Sequence, residues 1–373
     1  MSIDSGRLTK PGVVEVAQAA GVAPSTVSNV YNRPHVVSAA LHARVLAAAA
    51  ELGYEGADPS GRNLRRGRTN AIGVVMRERL AYTFEDPAAV QMMQGLSDAA
   101  DPQQLALVLV PAYPETGSST GPAVRHVAVD ALIVYSLVGD DPLLDAVRRR
   151  HLPTVVIDSP TLDDAALTGS FDFVGINEHQ PAQTAMEHLL TLGHRRVGVL
   201  STRLAARDHP GLSSLSRQSA ATASVARGRL QGAAAAVCAA GLDWADVPVV
   251  QCQISSIEDG RLGAHILLDA APDTTAVFAF SDPLALGARL AAHQRGLTVP
   301  GDLSIVGFDD SAPTSQGLTT IHQPLRDKGR IATERLLDAL SGDRPTQPDR
   351  PTQPLLLPTR LVVRQSTSPP NSR

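Results

Sequence analysis

Between Gly21 and Pro34 the segment "GVAPSTVSNVYNRP" gathers Ser25, Thr26, Ser28, Asn29 and Asn32 within eight residues. Each carries a short side chain that donates or accepts hydrogen bonds. Such a density suits the reading of another hydrogen-bonding surface, since an amide like Asn29 can bridge two groups on one base edge. A second set lies far downstream. Asp140, Asp158, Ser281 and Asp309 stand just after short apolar runs, and Tyr82 and Phe84 follow another. There a carboxylate could accept hydroxyl hydrogens and an aromatic ring could stack, although a cap or turn role accounts for any one Asp alone.

Enzyme chemistry has no comparable signature. The chain contains no G-x-S-x-G, no phosphate-cradling Walker loop, no H-E-x-x-H and no G-x-G-x-x-G after its first strand. "GRLQG" at 228–232 has two glycines at the wrong spacing for a dinucleotide turn. His188 and His194 flank a helix end at Gly193 without a third ligand and read as structural. Neither a metal nor a cofactor is expected. Two cysteines, Cys238 and Cys252, suit a reducing compartment.

The elements that must carry these residues can be read from periodicity. Val13, Val16, Ala17 and Ala20 fall on one side of a short helix, and Gly21 can take the positive φ of a tight turn. Pro24 suits the first position of a second helix, where its missing N–H costs nothing. Val27 and Val30 then face inward, and the Ser/Thr/Asn set faces outward. A third helix runs from a Ser38 cap through Leu41, Val45 and Leu52 to Gly53. This is a helix-turn-helix arrangement whose second helix could enter a major groove. The same spacing fits a plain three-helix bundle with a Ser/Asn-rich face.

"GADPSGRNLRRGRTNAIGVV" comes next, with Arg62, Arg65, Arg66 and Arg68 around Leu64. A lone Leu among arginines suits a segment that orders on a polyanion and wedges between base pairs, or an ordinary basic linker. From Ala71 the pattern alternates short apolar strands (Ala71–Val75, Leu105–Val110, Ala131–Tyr135, Thr154–Ile157, Arg196–Leu200, Ala276–Phe280, Leu303–Val306) with helical stretches. That predicts an α/β fold with two parallel sheets, switching near Phe171–Asn177, and ligand contacts at the carboxyl ends of the strands.

Bulk properties agree. A chain of 373 residues with 43% apolar content needs two or three domains. Residues 1–68 hold eight Lys/Arg against five Asp/Glu, a net +3, whereas the remainder holds 25 against 32, a net −7. A basic head on an acidic body places an anionic partner at the head. No apolar run reaches membrane-spanning length and no secretion signal opens the chain, so a cytoplasmic protein is expected.

"VAQAAGVAPSTVSNVYNRPHVVS", "ARVLAAAAELGY", "NLRRGRTNAIGVV", "HLLTLGHRRVGVL", "GRLQG", "GLTVPGDLSIVGFDDS" and "LTTIHQPLRDKG" together resemble the LacI/GalR family of bacterial transcription regulators, in order from about residue 8 to residue 366. The resemblance implies an N-terminal all-α helix-turn-helix headpiece (1–57), a hinge helix (58–69) and a two-lobed, periplasmic-binding-protein-like α/β sensor (70–367). The first lobe would comprise about 70–174 and 324–352, and the second about 175–322 and 354–367, before a disordered tail at 368–373. It implies a repressor acting as a homodimer, or a pair of dimers, on palindromic operator DNA under control of a small effector. Base-reading positions would fall on Pro24, Ser25 and Asn29, phosphate contacts on Thr26, Ser28 and Asn32, and the minor-groove wedge on Leu64, with Arg62 and Arg65 beside it. Effector contacts would fall on Arg229, Ser281 and Asp309. Tyr82, Phe84, Asp140 and Asp158 join them from the strand-end reading.

Three departures stand out. Ala23 replaces a Ser cap, worth about 1 kcal/mol at a helix start. Gly61 interrupts the hinge, and Thr202–Arg227 is longer than the matching loop of sugar repressors. A carboxylate at 309 opposite Arg229 suits a sugar, nucleoside or small polyol. Only 3% aromatic content leaves few platforms for a flat purine. A solute receptor of the same architecture would carry a secretion signal and lack the basic head, and a sugar-modifying enzyme would need a convergent acid, base or nucleophile.

Overall fold

A computed structural model describes residues 11–54, 56, 68–111, 123–139, 141–160, 171–205, 209–311, 317–341 and 354–371. The chain divides into two compact units, Met1–Thr69 and Asn70–Arg373.

In the first unit, helices α1 (Val13–Ala20), α2 (Pro24–Asn32) and α3 (Ala39–Leu52) enclose a small core of Val16, Ala17, Ala20, Val27, Val30, Val45 and Ala49, closed by Tyr54. Local chemistry sets each boundary. Gly21 and Gly53 adopt φ of 62° and 69° after α1 and α3, which only a residue without Cβ takes without strain. Ser38 caps α3 by accepting from the Leu41 N–H at 3.4 Å. Ala23 provides no side-chain cap to α2, so Pro24 alone marks that start. Tyr31 packs edge-on against Tyr54 at 5.7 Å, fastening α2 to the end of α3.

The second unit holds two sheets. The first has the order β12-β5-β4-β3-β1-β2, formed by β1 (Ala71–Met76), β2 (Ala106–Pro111), β3 (Ala131–Tyr135), β4 (Thr154–Ile157), β5 (Asp172–Gly175) and β12 (Leu355–Leu356), all parallel. The second has the order β13-β11-β10-β9-β6-β8-β7, from β6 (Val197–Ser201), β7 (Gly211–Leu212), β8 (Val249–Gln251), β9 (Ala276–Ala279), β10 (Ser304–Asp309), β11 (Thr319–His322) and β13 (Arg360–Val362). Only its edges, β7 and β13, run antiparallel. The expected strands recur within a residue or two, except that β10 continues to Asp309. The strands β8, β11 and β13 have only 3, 4 and 3 residues, too few for a strand period to stand out from the sequence. β7 and helix α8 (Leu215–Ser219) belong to the long Thr202–Arg227 segment, which therefore extends the second sheet by one edge strand.

Two boundaries are corrected. Leu355 and Leu356 pair with Val174 and Gly175 in the first sheet, so the last crossing into the second lobe comes after them rather than at residue 354. The stretch expected to be a disordered tail is anchored at its start. The Ser368 N–H donates to Ser304 Oγ at 3.0 Å and the Ser368 carbonyl meets His194 Nε2 at 2.9 Å. His194 is thereby explained as a structural residue, as expected.

Three helix pairs cover the sheets: α5 (Pro87–Ala100) with α12 (Leu325–Ser341), α7 (His179–Thr191) with α9 (Ser224–Ala239), and α10 (Ile257–Ala270) with α11 (Asp282–Gln294). Each pair crosses at glycine. A Cβ on Gly95 would lie 1.9 Å from the Arg326 carbonyl, one on Gly232 2.0 Å from that of His179, and one on Gly287 2.2 Å from that of Ile257. The backbones touch, so no rotamer change can make room. Gly95→Val should therefore cost the second unit about 1–3 kcal/mol or more in urea unfolding. An unchanged midpoint would show that these helices can separate freely.

Candidate functional site

On the first unit the outward side of α2 forms a polar face. Pro24, Ser25, Asn29 and Asn32 are exposed, Thr26 and Ser28 half-buried, and Val27 and Val30 buried beneath them. Asn32 Nδ2 donates back to the Ser28 carbonyl at 2.9 Å and to Ser28 Oγ at 3.2 Å, so this pair is partly engaged within the helix. Asn29 remains exposed on the middle turn. Arg62, Leu64 and Arg65 lie outside the described residues.

On the second unit the chain order fixes where a ligand can lie. Strand order reverses between β1 and β3 in one sheet and between β6 and β9 in the other. At such a switch the following loops diverge and leave a crevice at the carboxyl ends. A cavity of about 180 Å³ occupies that place, lined from both lobes. Glu78 and Tyr82 reach it past β1, Tyr135 and Ser136 from β3, Arg203 past β6, and Phe280 and Ser281 past β9. Asp158, Arg229 and Asp309 line it as well.

Of the effector residues expected from sequence, Tyr82, Asp158, Arg229, Ser281 and Asp309 thus meet in one cavity. Phe84 does not. It sits on α4 (Leu80–Glu85) with 61% of its surface exposed and is absent from the lining, because the helix turns it away from Tyr82. Asp140 lies outside the described residues.

The geometry centres on Arg229, 5% exposed. Its Nε donates to Glu178 Oε2 at 2.7 Å, another N–H donates to the Phe280 carbonyl, and Asp309 Oδ1 lies 4.0 Å away. The guanidinium stacks 3.6 Å over the Phe308 ring. Burial works against its charge, but Glu178 and Asp309 outweigh that and raise its pKa. Burial likewise lifts Glu178, and lifts Asp309 well above the carboxylate range. Gln323 donates to Asp309, while fully buried Lys328 donates to Gln323 and, at 2.5 Å, to Asp158. Asp158, Ser136 and Asp309 hold positive φ of 62°, 58° and 111°, unusual for residues with a Cβ. Such strain collects where side chains must be aimed at a ligand.

Other contacts join the lobes directly. Arg203 donates to Glu78, and Ser255 N–H donates to the Tyr82 hydroxyl at 3.0 Å; within the second lobe Ser255 Oγ donates to Ser281 Oγ at 2.5 Å. Burial first, then Asp86, raises the Tyr82 hydroxyl well above its ordinary pKa. Asp282, by contrast, is structural. It holds Thr320 Oγ1 at 2.6 Å and the Ser311 N–H at 2.8 Å beneath the site.

Sequence reasoning passed over Glu178, Asp86, Arg203 and Gln323. Glu178 sits two residues past "VGI", in the same strand-end position as the residues that were noticed. Asp86 precedes Pro87 and reads as an ordinary cap, which it also is, accepting from the Ala88 N–H at 3.1 Å.

The family model of the lacI family of bacterial regulatory proteins matches residues 13–56, and that of the periplasmic binding protein-like domain matches 186–367. The HTH-type transcriptional regulator IpsA of Corynebacterium glutamicum is 37% identical over 337 residues, covering 89% of this chain and 92% of its own. Two solved structures are similar along nearly the whole chain. A complex of the regulator CelR with cellobiose has 27% identity and a TM-score of 0.67, covering 95% of this chain and 99% of that one. The lac repressor dimer bound to operator and the anti-inducer ONPF has 25% identity and a TM-score of 0.74, covering 96% and 99%.

Asp86 offers a test of the cleft's electrostatics. Burial, aided by the Glu78 charge, pushes its carboxyl up to about 6 against the pull of the Ala88 and Ala89 N–H groups. A folded pKa above the unfolded one favours the native state at low pH, and that advantage is lost as pH rises through about 6. The stability of Asp86→Asn relative to wild type should therefore grow by about 1–2 kcal/mol between about pH 5 and pH 8 in urea titrations of the sensor transition. A difference that does not move with pH would mean the carboxyl titrates normally.

Proposed function

This chain belongs to the lacI family of bacterial regulatory proteins, and we propose that it is a repressor whose hold on operator DNA is set by a small polyhydroxyl effector in the cleft between its lobes. Its relatives are HTH-type transcriptional regulators, non-enzymatic DNA-binding proteins. The observation that carries the effector reading is the cavity itself, where Arg229, Asp309, Asp158 and Tyr82 converge from two lobes at both topological switch points. A volume of about 180 Å³ equals that of about six water molecules, which suits a sugar-sized ligand.

In this reading residues 1–57 form the DNA headpiece, 58–69 the hinge and 70–367 the sensor. Asn29, with Ser25 and Pro24, reads base edges in the major groove, and Thr26, Ser28 and Asn32 stand near phosphates. Arg62 and Arg65 neutralise the backbone while Leu64 wedges into a flexible step. The protein works in the cytoplasm as a homodimer on a palindrome. Exposed Leu262 and Ile266 on α10 and Leu290 on the adjacent α11 support self-association through that face. The effector changes the spacing of the paired sensors and so the folding of the hinge on DNA.

A chain truncated to begin at Asn70 should bind effector and lose all specific operator binding in gel shifts; retained specific binding would overturn the headpiece assignment. Asn29→Ala should cost about 1–3 kcal/mol on the cognate operator and relax preference at one symmetric base pair per half-site. An equal loss on random DNA would make Asn29 a phosphate contact. Arg229→Ala and Asp309→Ala should each abolish the effector response, and a preserved response in both would put the pocket elsewhere.

A further inference from the structure

The cleft contains more negative than positive charge, and the positive charge is already used. Among the described residues, Arg77 is held by Asp141, Arg203 by Glu78, Arg229 by Glu178, and Lys328 by Asp158. Two carboxylates are left over. Asp309, on the second lobe, shares Arg229 only at 4.0 Å and otherwise receives the Gln323 amide. Asp86, on the first lobe, forms no ion pair among the described residues and accepts the Ala88 N–H at the start of the following helix. Both line the cavity, with Tyr82 and Tyr135 beside them.

A phosphate or carboxylate entering here would meet the Asp86 carboxylate, and an Asp309 carboxyl that burial biases toward its neutral form, with no unpaired cation among the described residues lining the cavity. It would have to break a buried ion pair to gain one, and a buried charge so stripped is costly. Hydroxyl groups face no such obstacle, since they donate to a carboxylate as strong, charge-assisted hydrogen bonds. Desolvated acceptors that find no donor are penalised, so the same pair also selects for a ligand rich in hydroxyl hydrogens.

We propose that the effector is an uncharged polyhydroxyl compound gripped between Asp86 and Asp309, and that Asp86 is the specificity-determining residue that excludes phosphorylated and carboxylated forms of the same skeleton. This rests on the effector reading above. Glu78 belongs to the Arg203 pair that bridges the lobes, and Asp309 has Arg229 at 4.0 Å and the Gln323 amide, so the exclusion falls to Asp86.

Matched sets test it with the full-length protein: glucose, glucose 6-phosphate and glucuronate; ribose and ribose 5-phosphate; and cellobiose, each followed by thermal shift and calorimetry. Binding is expected only from neutral members, with the charged counterpart of any binder at least 100-fold weaker. Asp86→Asn, which keeps size and the helix cap, should narrow that ratio at least tenfold, and Asp86→Glu should restore most of it. A phosphorylated or carboxylated compound binding as tightly as its neutral partner would overturn the proposal. So would an Asp86→Asn ratio equal to wild type. Silence from every compound of both charge classes would instead overturn the effector reading on which the proposal rests.

Discussion

A guanidinium buried at the end of a parallel sheet must be fully partnered, and the second lobe is arranged around that demand. Arg229 draws Glu178 from the start of α7, the Phe280 carbonyl from the end of β9 and the Phe308 ring from β10 to one point. Removing one partner of a buried ion pair typically costs about 3–5 kcal/mol, because the other charge is stranded. The pair is thus weak as a source of net stability and strong as a constraint on position. It holds the ends of three elements in register where a ligand must be met.

The first lobe uses the same device with a different cation. Lys328, wholly buried on α12, reaches Asp158 at the end of β4 and Gln323 in the segment that returns from the second lobe. Gln323 also donates to Asp309, so one amide links the ion pairs of both lobes. The crossing segments are therefore not passive straps. They carry polar contacts whose geometry depends on how far the lobes are closed, which is where an effector could bias the molecule. The helices behind cannot absorb such motion by sliding apart, since they cross at Gly95, Gly232 and Gly287 with no room for a Cβ.

The headpiece solves a smaller problem by local means. Its core is a handful of Val and Ala side chains with Tyr54, and its polar face is left for something outside. Helix α2 has no side-chain cap at Ala23 and ties Asn32 back to Ser28. A polar helix with a weak start has more to gain from donors and acceptors supplied from outside than one already complete.

By itself the sequence determined the helix-turn-helix down to its end residues, because Gly21, Pro24, Ser38 and Gly53 act through their own backbone chemistry and need no distant partner. It determined the two-sheet architecture too, since strands covered on both faces read as apolar runs. Residues at the carboxyl ends of those runs were legible as ligand candidates for the same reason. Tertiary structure decided which of them meet. Phe84 and Tyr82 share one short helix, and only its orientation sends one ring to solvent and the other into the cleft. Glu178 and Arg229 lie 51 positions apart, and Arg203 and Glu78 lie 125 apart. No spacing in the chain announces either pair. Asp86 looked like a helix cap because locally it is one, and its second role exists only because closing two sheets end to end removes water from it. Local backbone preferences are written residue by residue, whereas the burial and pairing of charge depend on long-range approach, which the fold alone brings about.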